Sequence, residues 1–108
     1  TIFTNSGISE NGALFNYAAN WESAGRWGIE ILTKNHKLIL RPMEKLQIQK
    51  RGSIVESVVK DIDYSLDDKY KPGLFLQTNN VINCDFSNMC SIQDQKRVIN
   101  MYNKMANY

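Results

Sequence analysis

The chain has 108 residues, 43% of them hydrophobic and 22% charged, a length and composition suited to one soluble globular domain with one modest core. Thirteen basic and 11 acidic residues leave a net charge of +2 with no basic stripe, which argues against a nucleic-acid partner. Apolar runs are only a few residues long and no charged segment leads into one, so neither a membrane span nor a signal peptide is expected, and a cytoplasmic location is. The chain opens at Thr1 inside what reads as a strand, and a piece of a longer protein is expected.

The first part of the chain reads as β, over residues 1–60. Thr1–Thr4 is a short strand, and the Asn-Gly of "SENG" (Ser9–Gly12) is a turn signal between apolar runs. In "ALFNYAANW" alternation puts Ala13, Phe15, Tyr17, Ala19 and Trp21 on one face, with Leu14, Asn16, Ala18 and Asn20 on the other. Trp27, Ile29 and Ile31 then alternate with Arg26, Gly28 and Glu30. "TKNHK" (Thr33–Lys37) is a polar turn, "LILR" resumes β before Pro42, and "MEKLQIQK" sets Leu46 and Ile48 opposite Lys45, Gln47 and Gln49. "RGS" (Arg51–Ser53) leads into "IVESVVKDI", an edge-like strand with interleaved charges. The expectation is an open, mostly antiparallel sheet of five or six strands.

A linker is expected over residues 61–73, closing on Lys71-Pro72-Gly73, and helices over 74–106. Leu74, Thr78, Val81, Ile82 and Phe86 recur at helical spacing, although Asn79, Asn80 and Asn83 are poor helix formers. Ser91 with Asp94 three residues on has the form of a capping box, and Ile92, Val98, Ile99, Tyr102, Met105 and Ala106 continue one helical face. The fold class is α+β, a single domain whose two C-terminal helices pack on one sheet face.

The richest stretch for chemistry is "NWESAGRWG", from Asn20 to Gly28. Arg26 suits a carboxylate or phosphate, Trp21 or Trp27 can stack on a sugar ring, and Asn20 and Glu22 can bond hydroxyls. The structural alternative makes both tryptophans core anchors, the glycines backbone devices and Glu22–Arg26 a surface ion pair. His36 stands alone in a polar turn with no catalytic partner. Asp61, Asp63, Asp67 and Asp68 do not follow a calcium-loop spacing. Cys84 and Cys90 form no CxxC pair and no metal site is expected; they are read as free thiols. No GxGxxG, GxxxxGK[ST] or GxSxG motif is present.

"NGALFNYAANWESAGRWGIEILTKNHKLILRPMEKLQIQ", then "KYKPGLFLQ", then "CSIQDQKRVINMY" together resemble the C-terminal domain of the Gfo/Idh/MocA oxidoreductases, the glucose–fructose oxidoreductase and inositol dehydrogenase relatives, over nearly the whole chain. The resemblance implies a parent enzyme dependent on NAD or NADP that acts on a sugar, a cyclitol or a nucleotide-sugar. It implies an N-terminal Rossmann domain, absent from this chain, as partner, and homo-oligomers built through the sheet. The family's nucleotide-binding glycines and Glu-Lys-Pro lysine belong to that Rossmann domain, and its catalytic histidine to a helix preceding the part matched here. His36 does not match that position, so no catalytic residue, bound cofactor or metal is expected in this chain, which would be inactive alone. Because the matching strand and loop approach the substrate cleft in such enzymes, Arg26 and Asn20, then Trp21, become the expected substrate contacts. A non-enzymatic assembly module that dimerises through the open sheet is the competing reading.

Overall fold

Six strands, all paired antiparallel, and three helices make up the computed structural model, which describes residues 1–106. The α+β class is as expected, but the strands pair in two sheets of two and four strands rather than in one. The chain divides into two compact units accordingly, Thr1–Ala24 with the segment from Met89, and Gly25–Asn88.

In the first unit β1 (Ile2–Ile8) and β2 (Leu14–Asn20) form a hairpin in the register Ile2↔Asn20 to Ile8↔Leu14. Its turn is the expected one. Gly12 adopts φ +84°, its amide donates to the Ser9 carbonyl, and the Ala13 amide donates to Ser9 Oγ at 2.9 Å. β1 outruns the four residues expected because pairing with β2 carries Asn5, Ser6 and Gly7 into the ladder despite their weak strand propensity. Gly7 has a specific use. It faces Phe15 across the pair, and a Cβ at residue 7 would lie 2.6 Å from the tip of that ring. α3 (Ile92–Ala106) packs on β1, and the Tyr17 hydroxyl donates to the Met105 carbonyl at 3.1 Å. The face Phe3, Tyr17 and Ala19 is thus the more covered one, as alternation predicts. Tyr102, on the expected apolar face of α3, is 45% exposed, and Tyr108 lies outside the described residues.

The second unit is built on a meander, β3 (Ile29–Leu32), β4 (His36–Leu40), β5 (Leu46–Lys50) and β6 (Glu56–Val58). The register places Ile29, Ile31, Leu38, Leu40, Leu46 and Ile48 on one face. The other carries Glu30, Lys37, Ile39, Gln47, Gln49 and Glu56. Lys37 bridges Glu30 at 3.0 Å and Glu56 at 3.9 Å, and Arg41 reaches Glu30 at 3.3 Å. These bonds, Lys37 first, hold the Glu30 carboxyl below its ordinary range. Ile39, central in the sheet and flanked by this network, is 4% exposed and is the only buried large apolar residue among those described.

The expected linker over 61–73 instead holds a short helix, α1 (Ser65–Lys69), tethered to the start of β5. The Leu46 amide donates to the Tyr64 hydroxyl at 3.0 Å, and Lys45 Nζ meets Asp68 at 3.0 Å while lying 5.7 Å from the Tyr64 ring centre. Asp63 accepts from the Ser65 amide and Asp67 from the Gly73 amide, so two of the four acids serve the chain's own backbone. α2 (Leu74–Ile82) opens at Gly73, φ +74°, runs through Asn79 and Asn80, and stops at Asn83, short of Phe86. Two corrections concern coverage: there are three helices rather than two, and neither α1 nor α2 packs on the strands of the four-stranded sheet.

Candidate functional site

The three expected contact residues fall on both sides of the boundary between units: Asn20 and Trp21 in the first, Arg26 in the second. Asn20 ends β2, and its Oδ1 accepts from the Glu22 amide at 2.9 Å, a local turn that stops the strand. Trp21 follows, its backbone amide donating to the Thr1 carbonyl at 3.1 Å, while its indole is 69% exposed. Glu22 also stays within its own unit, where its carboxylate meets the Thr1 amino group. Trp27 is 71% exposed. Neither indole is a core anchor, and the structural alternative loses its main support.

Arg26 lines a small open cleft of about 240 Å3 within the second unit, between Gly25–Trp27 and the β4–β5 connection at Pro42, Met43 and Glu44. The sequence around it explains why a cleft forms there. Residues 25–28 approach β3 without strand pairing, and after β4 the Lys45 amide closes a turn onto the Pro42 carbonyl at 3.0 Å. Gly28 permits close approach: a Cβ there would lie 3.1 Å from Arg41 Nε and 3.2 Å from the Leu40 carbonyl oxygen. Arg26 takes part in no ion pair among the described residues. A guanidinium, an indole and a carboxylate around a shallow hollow suit a ring-shaped polar ligand, with hydroxyls bonded by Arg26 and Glu44 and an apolar ring face toward Trp27. Met43 and Glu44 had no signal in the linear pattern, because only the fold of the connection after β4 brings them beside Arg26.

His36 sits at the first position of β4, its amide bonded to Thr33 Oγ1 at 3.1 Å, with no catalytic arrangement around it. Cys84 and Cys90 are free and exposed thiols. Among the described residues no group of three or more metal-ligating side chains gathers, and no helix is long and apolar enough to cross a membrane. Neither a protein-family model, nor a curated protein, nor a solved structure matches the chain.

Proposed function

We propose that this chain is the substrate-side domain of an NAD(P)-dependent oxidoreductase of the Gfo/Idh/MocA type, acting on a sugar, a cyclitol or a nucleotide-sugar. The observation that carries the reading is the cleft that sets Arg26 and Trp27 against Met43 and Glu44. Its volume suits a single polar ring rather than a drug-sized ligand. In this reading Arg26 bonds hydroxyl or phosphate oxygens of the substrate within the second unit.

The residues described do not fit a dinucleotide cradle, which needs a glycine turn between a strand and a helix. Every strand pair is antiparallel, and the one positive-φ glycine that opens a helix, Gly73, follows α1. The nicotinamide would therefore be held by the Rossmann partner, and the chain supplies binding and orientation of the substrate.

Saturation-transfer NMR with a hexose, a cyclitol and a nucleotide-sugar tests this. At least one should bind saturably, and Arg26→Ala should weaken it about tenfold, the loss of one charged hydrogen-bonding group. Absence of a saturable signal from all three would reject the reading. The second reading, an assembly module, is favoured by a separate observation: the aliphatic face of the four-stranded sheet is left uncovered by α1 and α2.

A further inference from the structure

At the opposite end of β4 from the cleft, two loops of the second unit lie side by side. They are the β3–β4 turn through Lys34 and Asn35 and the β5–β6 connection that begins at Arg51. The Arg51 amide donates to the Asn35 carbonyl at 2.8 Å and ties them together. Between them opens a hollow of about 370 Å3 whose lining includes Lys34, His36, Lys37, Lys50 and Arg51 and no acidic residue. Lys37 is already paired with Glu30 and Glu56. Lys34, Lys50 and Arg51 are in no ion pair among the described residues. Three uncompensated cations thus gather at one spot of a chain whose whole net charge is +2.

The register sharpens this. His36 pairs directly with Lys50, so their side chains leave the same face with Cβ atoms about 5 Å apart. An imidazole and an ammonium that leave the same face side by side can both donate to an anion set between them. We infer that this hollow is a binding site for a small phosphate-bearing ligand, with Arg51 as the bidentate donor and Lys34 and Lys50 as point charges. A monocarboxylate would balance only one of the three cations, a phosphate group up to two, and a pyrophosphate group about three. The charges gather at one end of the sheet instead of forming a stripe, which suits a small molecule rather than a nucleic-acid backbone. The inference is independent of the oxidoreductase reading and concerns different residues.

The test is an amide-resolved NMR titration of the full chain with pyrophosphate at constant ionic strength. Saturable shifts are expected at Lys34, Asn35, Arg51 and Gly52, with acetate producing none. Arg51→Gln and, separately, Lys50→Gln should each weaken binding about tenfold, as loss of a charge-assisted contact does, while Lys60→Gln, outside the hollow, leaves it unchanged. All these side chains are exposed, so the substitutions do not endanger folding. A second arm uses vesicles containing phosphatidic acid. Binding to vesicles but not to soluble pyrophosphate would overturn the assignment. So would shifts that never saturate, or an affinity indifferent to Arg51→Gln.

Discussion

Cys84 is the one non-glycine residue with positive φ among those described, at +56°. The position is not accidental. The Asp85 amide donates to the Asn80 carbonyl at 2.9 Å and the Cys84 amide to the Val81 carbonyl at 3.1 Å, which is a Schellman termination of α2 with Cys84 at the left-handed position. An L-residue there costs about 1–2 kcal/mol relative to glycine, against a larger unfolded-state entropy for glycine of about 0.4–1 kcal/mol. Strain relief wins. Cys84→Gly should stabilise the second unit by about 0.5–1 kcal/mol, a rise in melting temperature of a few degrees by calorimetry. A fall would mean that the thiol makes contacts outweighing the strain. The same scale shows what spacing could and could not reveal. The helical spacing was expected to run on to Phe86, and nothing in a linear pattern marks a cysteine as a helix terminator.

At the scale of elements, the capping box of α3 forms as the Ser91/Asp94 spacing predicts, with Asp in the role usually taken by Glu or Gln. The Asp94 amide donates to Ser91 Oγ at 3.1 Å, and Ser91 returns both its amide, at 3.2 Å, and its hydroxyl, at 2.6 Å, to the Asp94 carboxylate. The hydroxyl bond, then the amide bond, lowers the Asp94 pKa below its ordinary value. A carboxyl with a depressed folded-state pKa stabilises the fold above its unfolded value, about 3.9. That contribution is lost as pH falls through the lower folded value. Asp63 and Asp85, lowered by Ser65 and Ser87, act in the same direction. Helicity should therefore decline below about pH 4. Ser91→Ala should cost α3 about 1 kcal/mol at neutral pH and flatten the acid limb, because the main cause of the Asp94 shift is gone. Circular dichroism across pH 2–7 checks both; an unchanged acid limb in the variant would count against the box. Strand parity, the turn at Ser9–Gly12 and this cap were legible because each rests on contacts within a few residues. α1 was not, because Tyr64 and the Lys45–Asp68 bridge that tether it reach 18 and 23 residues along the chain.

At the scale of the whole molecule, local alternation gives the faces of strands but not which strands share a sheet. The break between β2 and β3 comes from the Asn20–Glu22 turn and the unpaired stretch before Ile29, features that read equally well as an ordinary hairpin connection. Of the residues named for the candidate site, Arg26 lines the cleft and Asn20 and Trp21 do not, while Met43 and Glu44 come beside Arg26 only through the fold. Assembly through the sheet was an expectation, and the candidate surface for it is the aliphatic face, opposite the one bearing Gln47 and Gln49. The aliphatic face holds Ile29 at 44% and Ile31 at 45% exposure, with Leu38, Leu40, Leu46 and Ile48 only partly covered. Pairing like faces about a two-fold axis is the simplest way to remove such surface from water. Four strands spaced about 4.8 Å apart, with five residues rising about 3.3 Å each, give a footprint of roughly 300 Å2. A stable interface needs about 800 Å2 per partner, so the expected homodimer is weak, and submicromolar association would require surface beyond this sheet. Sedimentation equilibrium over a tenfold dilution from about 300 µM, a range set for an interface below standard size, should give an average mass between monomer and dimer that falls on dilution. Ile31→Lys, on the aliphatic face, should leave only monomer. Leu32→Lys, one residue along β3 but on the opposite face and 80% exposed, should leave association intact. A monomer mass for the unmodified chain at every concentration, or equal loss in both variants, would exclude the sheet face as the interface.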